Sequence, residues 1–194
     1  MSDVSIVGGG PAGLSCALFT AKNGLETTLY DADETWMHKA HLFNFPGIGS
    51  ADGSTLLEVM RDQVDWVGVE RNQGERVESI STGDDGFSVQ TDGGSDESTY
   101  VVLATGANRD LAESIGCAFD DGVVDVDVTM ETSIDDLYAT GAMVRAEEWQ
   151  AVISAGDGAA AALNILSKER GDHYHDFDTP ADADRVYSSL VDEG

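Results

Sequence analysis

Hydrophobic positions along this chain alternate between a strand rhythm and a helix rhythm. Val4 to Val7 is apolar on both faces once Ser5 is accepted, which reads as a short buried strand. The segment Gly8-Gly9-Gly10-Pro11-Ala12-Gly13 follows, and then Leu14, Cys16, Ala17, Leu18 and Ala21 mark a helix that stops at Gly24. Thr27-Thr28-Leu29-Tyr30 predicts a second strand, closed by Asp31. From Asp33 to Gly53 no period holds, and Pro46-Gly47 forces a turn. Ser54 is the predicted cap of a helix with Leu56, Leu57, Met60 and Val64 on one face.

Between Val67 and Leu103 the pattern changes to short strands, with turns at Asp85-Gly86 and Asp92-Gly93-Gly94. The last of these strands runs from Thr99 to Ala104 and into Thr105-Gly106. Over residues 107–122 Asp, Glu and Gly interrupt any period. Val123, Val124, Val126 and Val128 read as strand, as does Leu137 to Thr140. Gln150 to Arg170 predicts a helix whose face is unusually small, Ala151, Ala155, Gly156, Gly158 and Ala159 to Ala162, so it can approach another element closely. The fold class is α/β: a parallel sheet of the Rossmann type carrying a small antiparallel β-meander. One domain is expected over residues 1–171, followed by an acidic tail over 172–194. A short terminal helix is expected in that tail, with Thr179 as cap, Pro180 in its first turn and Val186, Tyr187, Leu190 and Val191 as its stripe.

Charge narrows the partners. In 194 residues, Lys and Arg number 10 against 37 Asp and Glu, a formal charge of −27. Nucleic acid and anionic membrane surfaces both require a basic patch, so neither is an expected partner. No apolar run reaches the ~18 residues of a membrane span, and the N-terminus has no basic flank, so a soluble, cytoplasmic protein is expected. Such acidity is tolerable where molar salt shortens the Debye length to about 3 Å, which points to a halophilic composition; a surface for a basic partner is the rival reading. Cys16 and Cys117 lie far apart and imply no disulfide framework.

The densest chemical signal is Gly8-x-Gly10-x-x-Gly13 between a strand and a helix, with Asp31 18 residues after the last glycine. Gly8 permits the tight turn, Gly10 lets backbone approach a pyrophosphate, and Gly13 lets helix and strand pack. The helix N-terminus offers free N–H groups to phosphate, and Asp31 is placed for ribose hydroxyls. This fingerprint alone leaves NAD and FAD both open.

Further segments occur in one order: Asn44-Phe45-Pro46-Gly47, Val101-Val102-Leu103-Ala104-Thr105-Gly106, Leu137-Tyr138-Ala139-Thr140-Gly141, and Trp149-Gln150-Ala151 leading to Ser154-Ala155-Gly156 and Gly158. Together they resemble the FAD domain of the low-molecular-weight thioredoxin reductase family over roughly residues 4–170. The resemblance implies FAD as cofactor. It assigns the pyrophosphate to Gly8, Gly10, Pro11, Ala12 and Gly13, the ribose to Asp31 and the adenine to Val77. Ala104, Thr105 and Gly106 would lie beside the dinucleotide, Gly141 and Ala142 near the ribityl chain, and Asn44, Trp149, Gln150 and Ala151 near the flavin ring. A helix N-terminus at Gln150 also suits the negative charge that a reduced flavin builds near N1 and C2=O.

Three departures from that family qualify the resemblance. Its NADPH domain would be inserted after Gly106, where this chain runs on through Ala107-Asn108-Arg109-Asp110 and rejoins near Gly122. No Cys-x-x-Cys is present, so dithiol exchange has no evident basis. The family's Gly-Asp is here Gly141-Ala142, and the lost charged hydrogen bond, worth about 1.5–3 kcal/mol, weakens FAD binding about ten- to a hundredfold. Trp149 replaces a commonly basic residue and can stack on or shield the ring.

The remaining candidates have simpler readings. Cys16 is expected in the core and Cys117 as an inert small residue. His173 and His175, with Asp172 and Asp176, read as polar tail rather than a metal site; His38, Lys39 and His41 as polar loop; and Trp36 and Trp66 as packing residues. The expected function is a flavoprotein oxidoreductase passing electrons between a separate donor and acceptor, each a small molecule or a redox protein, with a homodimer open to it. The alternative is a non-enzymatic FAD- or ADP-binding module.

Overall fold

The computed structural model describes residues 2–83 and 86–177. The chain opens with strand β1 (Ser2–Val7), helix α1 (Pro11–Lys22) and strand β2 (Thr27–Asp31). A 3-10 turn (Trp36–Lys39) and a small hairpin of β3 (His41–Leu42) with β4 (Ala51–Asp52) lead into α2 (Gly53–Trp66). Strands β5 (Glu70–Gln73), β6 (Val77–Gly83), β7 (Gly86–Thr91) and β8 (Ser95–Leu103) follow. Helix α3 (Asp110–Ile115), a hairpin of β9 (Phe119–Asp120) with β10 (Val123–Val124), and strand β11 (Leu137–Ala139) come next. A second 3-10 turn (Gly141–Val144) and the long helix α4 (Ala151–Arg170) complete the described elements.

The main sheet has the order β5-β2-β1-β8-β7-β6, with β11 also paired to β8. Strand β1 runs parallel to both β2 and β8, with Val4 opposite Thr27 on one side and Tyr100 on the other. Strand β8 changes company along its length. Its first residues, 95–98, pair antiparallel with β7, while Val101–Leu103 pair in parallel with β11 along the same edge. The parallel sheet and the meander therefore share one continuous strand, which is longer than the Thr99–Ala104 strand expected from periodicity. Strand β5, expected as part of the short-strand region, is instead the parallel edge beside β2.

Side chains of successive residues leave a strand on opposite faces, and the core divides accordingly. Val4, Ile6, Leu29 and Val102 join Leu14, Leu57 and Ile165 from α1, α2 and α4 in one cluster. Val7, Tyr30, Val101 and Leu103 join Ile80, Phe87, Ala112 and Met143 in the other. The small face of α4 meets α1: a Cβ at Gly158 would lie 2.0 Å from the Ala12 carbonyl oxygen. Close approach, expected from the alanine and glycine content, is thus made to the first helix.

Three expectations need correction. The cap of α2 is Asp52, whose Oδ1 accepts from the Ser54 amide at 3.0 Å, while the Ser54 hydroxyl pairs with His38. A carboxylate one residue before the helix outcompetes the later hydroxyl. Val126 and Val128 lie outside the strand because Asp127 Oδ1 accepts from the amides of Thr129 and Glu131 and turns the chain, leaving Val128 exposed. Trp66 is 87% exposed: at helical spacing it falls opposite Leu57. Residues 107–122 hold α3 and half of a hairpin. The expected tail helix from Thr179 and the Asp85 half of the predicted turn lie outside the described residues.

Replacing Gly158 by Ala should lower stability by more than about 2 kcal/mol, because the added methyl meets main chain that cannot rotate away. Gly156→Ala, in the same helix with open space around it, should be neutral or stabilise by up to about 1 kcal/mol. Urea unfolding checks both; equal effects would contradict the packing of α4 on α1.

Candidate functional site

A cleft of about 630 Å³ opens where β1, β2, β8 and β11 end, within the size range of ligand sites. Its floor is the turn after β1. Gly8 has φ +116°, and a Cβ there would lie 2.3 Å from the Ala104 carbonyl oxygen, so only glycine allows β1 and β8 to end side by side. Gly13 sits beneath the turn, where a Cβ would fall 1.9 Å from the Gly8 carbonyl oxygen; it shapes the floor without lining the cleft. Gly10 is different. Its φ is an ordinary −82°, and the nearest protein atom to an added Cβ is Thr35 Oγ1 at 3.5 Å. Packing within the protein does not demand glycine at position 10.

Gly10 is also the N-cap of α1, with no side-chain cap, Pro11 in the first turn and no acid there. Helix α4 begins in the same way. Gln150 is its N-cap, makes no capping hydrogen bond, and lines the cleft with Ala151 and Ser154. Uncapped N–H groups and the positive ends of both helix dipoles therefore open into one cleft. Asn44 stands outside the lining and donates its Nδ2 to Gln150 Oε1 at 2.6 Å, orienting that amide.

Asp31 ends β2 as expected, but it is only 2% exposed. Its Oδ2 accepts from Arg61 Nη2 at 2.8 Å and Gln73 Nε2 at 3.1 Å, and its Oδ1 accepts from the Asp33 amide. The Arg61 guanidinium also contacts Asp33 at 2.6 Å and holds that carboxyl below the usual range, with His38 adding to the effect. Gly9, absent from the expected residues, backs directly onto Asp31: its Cβ would lie 2.1 Å from Oδ2. Val77 lines the cleft, buried, and next to it Arg76 bridges to Glu34 at 2.6 Å.

Ala104, Thr105, Gly106, Gly141, Ala142 and Trp149 all line the cleft. Gly141 has φ +72° and stands against Ala12 and Ser154. The turn that carries Ala142 is braced by Arg109, which donates to the carbonyls of Met143 at 2.9 Å and Ala142 at 3.2 Å. Arg145 at the end of that turn pairs with the buried Asp157 of α4.

Several lining residues were not among the expected site residues. Thr35, Trp36 and Met37 come from the aperiodic stretch after β2, and Asn108, Asp110 and Leu111 from the uninterpretable stretch after Gly106. Trp36, expected as packing, is 55% exposed and borders the cleft against Trp149, with ring centroids 5.3 Å apart. An indole in a polar loop was the available clue. His38, Lys39 and His41 do not line the cleft; His38 binds Asp33 and Ser54, and His41 binds Ser50. In the tail, Asp176 pairs with Lys22, and the His175 ring stands beside Phe177. Cys16 is fully buried, which pushes its thiol up to about 12, and burial raises Cys117 as well.

The family model described as pyridine nucleotide-disulphide oxidoreductase matches residues 2–46 and 44–158. Among curated proteins, a ferredoxin--NADP reductase of Levilactobacillus brevis is 25% identical over 112 residues, 54% of this chain and 34% of that protein. A thioredoxin reductase of Aquifex aeolicus is 33% identical over 109 residues, with the same shares of 54% and 34%. The matched part thus spans about a third of the length of these relatives. Among solved structures, a thioredoxin reductase from Gloeobacter violaceus superposes with a TM-score of 0.82 at 22% identity, over 91% of this chain and 99% of that one. Its likeness shows the Rossmann-type fold. FAD is the cofactor of the matched family and of the thioredoxin reductases.

Both thiols should resist modification in the folded protein. At pH 8 a thiol-specific chromogenic reagent should label neither Cys16 nor Cys117 within minutes, and should label both in guanidinium chloride. Reaction of Cys117 at the rate of an exposed thiol would overturn its assignment as an inert residue.

Proposed function

We propose, since the chain belongs to the pyridine nucleotide-disulphide oxidoreductase family, that it holds FAD in this cleft and serves as a flavoprotein oxidoreductase. The observation that carries the reading is the pair of uncapped helix N-termini, at Gly10 and Gln150, facing one cleft. A dinucleotide with a phosphate centre and a ring that gains negative charge has a use for both. Gly10 supports the fit, since a Cβ there would meet only Thr35 Oγ1, at 3.5 Å, so packing gives no other reason for glycine beside the cleft.

In this reading Gly8, Gly10, Pro11 and Ala12 present main chain to the pyrophosphate, with Gly13 packing α1 beneath them. Asp31, fixed by Arg61 and Gln73, faces the ribose, and Val77 receives the adenine. Ala104, Thr105 and Gly106 flank the dinucleotide, while Gly141 and Ala142 meet the ribityl chain. Gln150 and Ala151 meet the ring, with Asn44 holding the Gln150 amide and Trp149 beside it. FAD supplies electron transfer when bound.

The whole of residues 1–171 would be one FAD domain, with α3 and the β9-β10 hairpin standing where relatives insert a second domain. Both buried thiols argue against electrons leaving through cysteine. Donor and acceptor are therefore separate species, small molecules or redox proteins, that approach the ring end of the cleft. The relatives' names, a ferredoxin--NADP reductase and a thioredoxin reductase, pair the same scaffold with different partners. A homodimer, a halophilic cytoplasm and the absence of a nucleic-acid or membrane partner complete the proposal. Ala142 and the buried thiols favour one second reading, a non-enzymatic FAD- or ADP-binding module.

Protein purified in molar KCl should absorb near ~450 nm or acquire that band on adding FAD. Photoreduction followed by rapid return of the band on adding an acceptor supports the oxidoreductase, and a stable reduced form supports the module. A colourless protein that takes up no FAD overturns both. Ala142→Asp should tighten FAD binding about tenfold by adding a charged hydrogen bond, read by titration calorimetry. Unchanged or weaker binding would remove Ala142 from the ribityl contact.

A further inference from the structure

We infer that Trp36 and Trp149 form an aromatic cap over the flavin ring, one stacking on it and the other meeting it at an incline, and that the cap sets the affinity of the ring half of the cofactor. This deepens the FAD reading and rests on it. The two indoles come from distant parts of the chain, one from the 3-10 turn after β2 and one from the residue before the N-cap of α4. They meet at the cleft with centroids 5.3 Å apart and planes inclined by 54°. Both line the cavity, yet Trp36 is 55% exposed and Trp149 44% exposed. Much of each ring is thus left without a protein neighbour, in a position where water is its only alternative to a ligand.

The Trp149 ring and the turn beneath Trp36 are also held. The Trp149 Nε1 donates to the Arg145 carbonyl at 3.1 Å, fixing the edge of the indole while the residue stays 44% exposed. The turn that carries Trp36 is capped by Thr35, whose Oγ1 accepts from the Met37 amide at 3.3 Å. An amphipathic ring anchored at its polar atom with its apolar face open is prepared for a flat aromatic partner. The adjacent Gln150 and Ala151 line the same cleft, so in the FAD reading that partner is the ring. The two indoles supply stacking surface beside a ribityl position that lacks its carboxylate.

Paired titrations with FAD and with ADP test the inference, because ADP carries the adenosine and phosphates without the ring. Trp36→Ala and Trp149→Ala should each weaken FAD binding about three- to tenfold and leave ADP binding unchanged. Trp149→Phe should keep most of the FAD affinity, and circular dichroism verifies that each variant is folded. Unchanged FAD binding in the double alanine variant overturns the cap. A parallel loss of FAD and ADP overturns it as well, since that is the mark of a merely structural pair. If the wild type binds ADP but not FAD, the cofactor assignment itself falls, a result distinct from either of the others.

Discussion

The structure depends on a stack of backbones that touch with no side chain between them. Ala104 at the end of β8 lies against Gly8, Gly8 against Gly13 in α1, and Ala12 of the same helix against Gly158 in α4. At each step an added methyl would fall within about 2.3 Å of a carbonyl oxygen, well inside contact distance. This sequence of contacts draws the ends of the strands and the starts of the helices into one place. The cleft is the space left above it.

That arrangement also solves an electrostatic problem. Asp31, Glu34, Glu75, Glu78 and Asp110 border the cleft, and among the described residues its one cationic side chain, Arg76, is already paired with Glu34. A phosphate entering such surroundings cannot rely on lysine or arginine. It must be met by amide groups and helix dipoles, which carry their partial charge whatever the sign of the surface. The extreme acidity of the chain and an anion-holding function are therefore compatible, because they use different parts of the molecule.

Legibility in the sequence followed how local the cause was. The β1-turn-α1 unit, Asp31 and the small face of α4 could be read because glycine spacing and helical period are properties of neighbouring residues. Gly9 escaped because its constraint comes from Asp31, 22 positions away. Trp36 escaped for the same reason, since only the fold brings it to Trp149. Position 54 was misjudged because a nearby carboxylate took the capping role, and Val128 because an Asx turn at Asp127 interrupted an apolar run. Of the expected cleft residues, Gly13 and Asn44 act from behind the lining, one by packing and one by orienting an amide.

The exchange of partners along β8 has a metric consequence. Its early residues carry the meander that ends in Val77, and its last residues abut the glycine turn and β11. Val77, Ala104 and Gly141 of the cleft lining are thus mounted on, or directly after, strands of one hydrogen-bonded sheet, whose spacing is nearly inextensible. Like marks on a ruler, those lining residues keep a set separation.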